Sequence, residues 1–342
     1  MRHIKKLTEI MKNLIYIFSL LTFYSAFGQN KTPEDFGYRH IVYNYKNESV
    51  DILVKSKKGE ENVPKPIFIF CQGSLPIPLI IYDGKESFGT FPFNPDSISK
   101  NYHLVIIGKP SIPLIADVNT LQNDFTYLDS TGRFPKIYIE RNLLSYYVPR
   151  NIAIIKYLRK QNWVSKNKLI IAGHSEGSTI AVKIATEYNS VTHLIYSGGN
   201  PLGRILSIIQ QSRAYEIDSD STRYGEASLK YWSEIVANKN DKTDLQGDTY
   251  KGTYEFSEPM ITYLDRLKIP VLVSYGTKDW SSPYNDYLRV DMMRKNKTNF
   301  SYNAYIGMEH NYFPLTNENK PNYEIFNWDR VANDWLKWLN EK

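Results

Sequence analysis

Residues 173–177 read Gly-His-Ser-Glu-Gly, directly after the apolar run 168–172 (KLIIA) and directly before a stretch of helical character, STIAVKIA. Two glycines and a serine at this spacing arise by chance about 0.04 times in a chain of this length, and the strand before and helix after reduce that further. The chemistry accounts for the spacing. A serine on a sharp strand-to-helix turn needs positions without side chains two residues to either side, so that the backbone can fold back tightly and lift Oγ above the sheet edge. The following helix then offers amides and a partial positive charge to a developing oxyanion. An ordinary tight turn with a helix-capping serine is the alternative.

Other reactive types are sparse. The single cysteine, Cys71, excludes an internal disulfide framework and any multi-cysteine metal site, and at the end of an apolar run it reads as a small core hydrophobe. There is no His-x-x-x-His, EF-hand, phosphate loop or dinucleotide fingerprint, so neither a metal nor another cofactor is implied.

The elements that must position the serine follow from the hydrophobic pattern. Residues 38–45 and 50–54 form a first hairpin with Asn47 and Glu48 in its turn. Residues 66–71, 103–107, 168–172, 193–196 and 270–275 are short, nearly continuous apolar runs, the habit of parallel strands buried on both faces. Helical stretches lie between them at 141–160 and 176–187, and a last one places Trp328, Val331, Ala332, Trp335, Leu336 and Leu339 on one face. The result is an α/β fold, a mostly parallel sheet covered by helices on both faces with right-handed crossovers. Residues 111–140 read as irregular. Residues 200–265 read as a helical cap insertion, with one stripe at Leu202, Ile205, Leu206 and Ile209, another at Leu229, Trp232, Ile235 and Val236, and a polar loop over 238–252.

Strand, elbow and helix together resemble the α/β-hydrolase superfamily from about Tyr38 to the C-terminus, the cap excepted. The pentapeptide and the His-Asn-Tyr tail are similar to its esterase, thioesterase and prolyl-oligopeptidase-like branch. The resemblance implies a serine nucleophile at Ser175 and partners in the order acid, then histidine. Asp279, after the run PVLVSY, and His310, after FSYNAYIG, fall where the family puts them. Asp286 and Asp291 are rivals for the acid, but sit in a helical stretch and read as solvated. Of the histidines, His3 lies near the N-terminus, His40, His103 and His193 sit in or beside strands, and His174 occupies the elbow's variable position; only His310 follows the last strand. The oxyanion hole would use the amides of Glu176 and of Ser74, the latter in Cys71-Gln72-Gly73-Ser74, which looks like the family's His-Gly-x turn with Gln72 replacing histidine. The Glu176 carboxylate reads as exposed at a helix start, where it favours the dipole.

The resemblance implies an enzyme, a serine hydrolase acting on a small-molecule ester or acyl substrate. Two alternatives stand beside a carboxylic ester hydrolase. One is a serine peptidase of aminopeptidase type, which needs carboxylates converging on the pocket; the other is a non-catalytic binding protein of the same fold.

The start of the chain carries a separate expectation. Residues 14–27 (LIYIFSLLTFYSAF) lack charge and end at Ala26 and Gly28, small residues suited to a cut before Gln29, so 1–28 read as a signal peptide and 29–342 as the hydrolase domain. Met11 is a second candidate start, and a retained membrane anchor is the alternative to cleavage. The mature protein is expected in a bacterial periplasm or outside the cell, without a stable membrane span. Of the formal charge of +6, Arg2, Lys5, Lys6 and Lys12 against Glu9 place three units in this segment; the dispersed remainder argues against nucleic acid as a partner. With 42% hydrophobic residues the chain can bury a sizeable core.

Overall fold

A computed structural model describes residues 31–217, 223–243 and 247–342; the expected signal peptide lies outside the described residues. The strands are β1 (Arg39–Tyr45), β2 (Glu48–Lys55), β3 (Lys65–Cys71), β4 (Ile80–Tyr82), β5 (Ser87–Phe88), β6 (His103–Ile107), β7 (Ile115–Asp117), β8 (Val164–His174), β9 (His193–Ser197), β10 (Val271–Gly276) and β11 (Phe300–Tyr305). The α-helices are α1 (Pro95–Ser99), α2 (Lys136–Arg141), α3 (Leu144–Leu158), α4 (Glu176–Glu187), α5 (Arg204–Ala214), α6 (Tyr224–Ala237), α7 (Tyr250–Phe256), α8 (Ile261–Arg266), α9 (Ser282–Arg294) and α10 (Trp328–Glu341).

The main sheet has eight strands in the order β1-β2-β6-β3-β8-β9-β10-β11. β2 is antiparallel to both neighbours, and every pairing from β6 to β11 is parallel. The continuous apolar runs have a direct cause in side-chain alternation across a sheet covered on both faces. Ile67, Ile69, Cys71, Val105, Leu169 and Ile171 join one core cluster with α3 and α4. Phe68, Phe70, Leu104, Ile106, Ile170 and Ala172 join the other, beneath Trp328, Val331 and Trp335 of α10. Trp335 is fully buried, while Leu336, assigned to the same face from sequence, is only partly buried and Trp338 takes the inward position.

Several boundaries differ from the sequence expectation. The first hairpin turns at Lys46 and Asn47, both at positive φ, so that Tyr45 faces Glu48 as the first pair of β2. This is a two-residue turn, and its left-handed backbone matches the twist of the flanking strands. Residues 111–140 are less irregular than their composition implies: β7 completes a small sheet in the order β5-β4-β7, and α2 begins at Lys136. The polar interval 238–252 ends in α7, which Thr249 caps by accepting a hydrogen bond from the Gly252 N–H at 3.0 Å. In the segment between β9 and β10, only Ile205 and Ile235 of the two apolar stripes are buried, whereas Leu229 and Val236 are exposed. These two helices do not lie on the main sheet, and each buries one apolar side chain.

Candidate active site

At the end of β8 the chain reverses into α4 through Ser175, which sits at φ 56° and ψ −126°. A non-glycine residue there is strained and needs its surroundings to hold it. They do so. The Ser175 N–H donates to the Ser197 carbonyl at 3.0 Å, and the Ser175 carbonyl accepts from the Ser178 hydroxyl at 2.6 Å. The flanking glycines are required by contact: a Cβ on Gly173 would stand 2.0 Å from the Gly177 carbonyl oxygen, and one on Gly177 2.0 Å from that of Cys71. The pentapeptide thus packs the start of α4 against the end of β3. This elbow and the sheet order decide the architecture. The chain has the α/β-hydrolase fold.

Asp279 follows β10 and His310 follows β11, so the parallel register of those strands carries both to the edge where Ser175 stands. His310 Nδ1 lies 2.8 Å from Asp279 Oδ2, and the other carboxylate oxygen accepts the Ser281 N–H at 2.9 Å. Burial pushes the Asp279 carboxyl up, but the charge and hydrogen bond of His310 and the Ser281 amide outweigh it and hold the group below its ordinary value. For His310, burial acts downward and the Asp279 charge and hydrogen bond overcome it, raising the imidazole. The rivals lie elsewhere. Asp286 accepts from the Tyr275 hydroxyl, and Asp291 pairs with Arg294 and with Lys295 at 2.8 Å. Asp291 is buried rather than solvated, as its sequence context had implied.

The histidine loop is held by Glu309, which sequence reasoning did not single out, and by His174 of the elbow. Glu309 accepts the backbone N–H groups of Asn311 at 2.7 Å and Phe313 at 3.0 Å. His174 is buried, with its ring 4.9 Å from that of His310, Nδ1 3.0 Å from the Ser197 hydroxyl and Nε2 3.3 Å from Asn311 Oδ1. Burial, with the neighbouring His310, lowers His174 to about 3, so it stays neutral and acts as a packed support. The remaining strand histidines are engaged within the fold: His40 with Asp51, His103 with Ser56, and His193 with Thr192.

Of the two residues expected to present amides, Glu176 opens α4, where first-turn N–H groups lack helical partners. Its carboxylate corrects the sequence reading. It is buried, not exposed, at 3.2 Å from Arg204, which also reaches Asp248 at 3.2 Å. Burial raises the Glu176 carboxyl, and Lys109 and Arg204 oppose that rise. Ser74 belongs to the turn that passes the nucleophile: a Cβ on the preceding Gly73 would stand 3.7 Å from that of Ser175. Gln72 secures this turn by donating from Nε2 to the Ile107 carbonyl at 2.9 Å. Cys71, behind it, is buried and its thiol is pushed up to about 12 by burial.

Ser175, Glu176, Asp279 and His310 line a cavity of about 1010 Å³. One wall comes from α5, whose Arg204, Ser207, Ile208 and Gln211 recur at helical spacing. Tyr215 and Trp280, with ring centroids 6.1 Å apart, also line it. Of the aromatics between β9 and β10, Tyr231 packs on Tyr250 and Trp232 on Tyr254 instead. Among the described residues no group of three or more His, Cys, Asp or Glu side chains is arranged to hold a metal ion.

No protein-family model and no curated protein matches this chain. Similar solved structures include Est1E from Butyrivibrio proteoclasticus, 13% identical with a TM-score of 0.48, covering 89% of this chain and 99% of that one. Pyrococcus horikoshii acylaminoacyl peptidase is 14% identical with a TM-score of 0.49 over 85% of this chain; the match spans 39% of the peptidase's length. A bacterial membrane phospholipase A is 11% identical with a TM-score of 0.46, covering 98% of each chain.

Proposed function

We propose that the protein is a serine hydrolase that cleaves a carboxylic ester or thioester of small to medium size through an acyl-enzyme. The observation that carries this reading is the hydrogen-bonded pair of His310 and buried Asp279 sharing a cavity with Ser175, whose backbone is held at positive φ. Ser175 Oγ attacks the acyl carbon while His310 Nε2 takes its proton. The negative oxygen is met by the Glu176 and Ser74 amides. As the tetrahedral intermediate collapses, the bond to the leaving group breaks and His310 returns the proton to the departing oxygen or sulfur. Water, deprotonated by His310, then attacks the acyl-enzyme, freeing the acid and Ser175. Asp279 remains ionised throughout and stabilises the imidazolium.

The cavity wall supports an ester over an aminoacyl substrate. Reading a free N-terminus needs carboxylates converging from the cap, whereas α5 presents Arg204, Ser207, Ile208 and Gln211. The carboxylates that line the cavity are already engaged, Glu176 by Arg204, Asp279 by His310, Glu309 by the Asn311 and Phe313 N–H groups and Glu318 by Lys320. A mixed polar and apolar wall suits an acyl or leaving group that carries hydrogen-bonding substituents. A panel of p-nitrophenyl esters beside aminoacyl anilides tests the choice: faster turnover of the anilides overturns it. Labelling of Ser175 by a fluorophosphonate separates an enzyme from a non-catalytic relative. We also propose, from residues 1–28, that the protein is exported; among the described residues no helix is long and apolar enough to cross a membrane.

A further inference from the structure

Lys109, two residues beyond β6, is buried, and its Nζ donates to the Gly73 carbonyl at 2.5 Å. A buried ammonium costs free energy unless it is engaged, so its placement needs a reason. The groups facing it come from several elements: Tyr138 of α2, whose ring centre is 5.7 Å away, Arg150 of α3, Glu176 of α4, and Asp248 ahead of α7. Burial lowers the lysine to about 8, with Arg150 acting the same way and Glu176 and Asp248 opposing. Its bond to Gly73 has a geometric consequence. In a trans peptide the carbonyl and the N–H point in opposite directions, so fixing the Gly73 oxygen on Lys109 turns the Ser74 N–H away from the lysine. The next peptide is fixed as well, because the Ser74 carbonyl accepts from the Tyr138 hydroxyl at 2.6 Å. Gly73 itself lies against Ser175.

We infer that Lys109, together with Tyr138, is a positioning residue that holds the Gly73–Ser74 peptide with its N–H presented to the oxyanion formed at Ser175. This rests on the serine hydrolase reading above. Neither residue touches the reacting atoms; each acts through the turn. Losing one oxyanion donor costs about 10² to 10³ in rate, and freeing a donor to turn costs less, about 10 to 100-fold.

The test is the second-order rate constant for labelling of Ser175 by a fluorophosphonate, followed by mass spectrometry, alongside kcat and KM for p-nitrophenyl acetate. Lys109→Met lowers the labelling constant and kcat by about 10 to 100-fold with KM within about threefold, whereas Lys109→Arg, which keeps a charged donor, stays within about fivefold of the wild type. Tyr138→Phe, which leaves the buried charge in place, lowers both by about 3 to 10-fold and carries the test if Lys109→Met does not fold. Wild-type rates in Lys109→Met or in Tyr138→Phe overturn the inference, as does an arginine variant as slow as the methionine one, because a packing role would not distinguish them. A wild type that is not labelled at Ser175 overturns the hydrolase reading and this inference with it.

Discussion

Asp279→Asn separates the roles of charge and packing at the site. The side chain is buried, with Oδ2 at 2.8 Å from His310 Nδ1 and Oδ1 accepting the Ser281 N–H, so the amide fits the same space. It no longer requires a proton on Nδ1. When the amide donates to that nitrogen, the imidazole proton moves to Nε2, where it cannot accept from Ser175. The expected loss is about 10⁴ in kcat/KM, or about 5 kcal/mol of transition-state stabilisation. The pH dependence supplies an independent sign. His310 must be neutral to act as a base, so activity falls as pH drops through its pKa, which Asp279 raises above the ordinary histidine value. Without the carboxylate, burial is opposed only by the smaller effect of the Glu309 charge, and the acidic limb of the residual activity moves to lower pH. The assay is kcat/KM for p-nitrophenyl acetate across the acidic and neutral range. A loss below tenfold, an acidic limb that stays in place or rises, or a larger loss in Asp286→Asn or Asp291→Asn would refute the assignment.

Ser175→Ala keeps the fold and costs about 10⁴ to 10⁶ in turnover, read by circular dichroism beside ester hydrolysis. Gly177→Ala drives a methyl into the Cys71 carbonyl and lowers stability by about 3 kcal/mol in denaturant unfolding; an unchanged midpoint contradicts the close approach. Arg204→Gln removes a cation from the cavity wall and leaves Glu176 and Asp248 without their shared partner, so KM and chain-length preference shift while a small fluorophosphonate still labels Ser175. An unchanged chain-length profile would remove α5 from substrate selection. Expressed from its native start in a Gram-negative host, the soluble protein begins near Gln29 by mass spectrometry; an intact segment 14–27 refutes cleavage.

The local sequence determined what depends on neighbours along the chain. The elbow was legible because a tight strand-to-helix reversal admits only glycine at 173 and 177, a constraint written in two residue types. The parallel strands were legible because a sheet covered on both faces needs unbroken apolar runs, and the face of α10 because its period is helical. Asp279 stood out by chain order after such a run and His310 after the mixed run FSYNAYIG, but their contact is a property of strand register, since they lie 31 positions apart with a helix and a strand between them. Tertiary structure alone decided the rest. Nothing in the sequence analysis singled out Lys109; the pairing of β6 with β3 brings it onto the Gly73 carbonyl. Glu176 reads as an exposed helix-start carboxylate until α5 folds back and delivers Arg204 to it. His174 gains its supporting role only when Ser197 and Asn311 arrive from two other strand ends, and its neutrality only when the fold buries it beside His310. Periodicity records which face of an element is buried; it does not record which charged groups meet there, because those distances are set by strand order and helix packing between segments far apart in the chain.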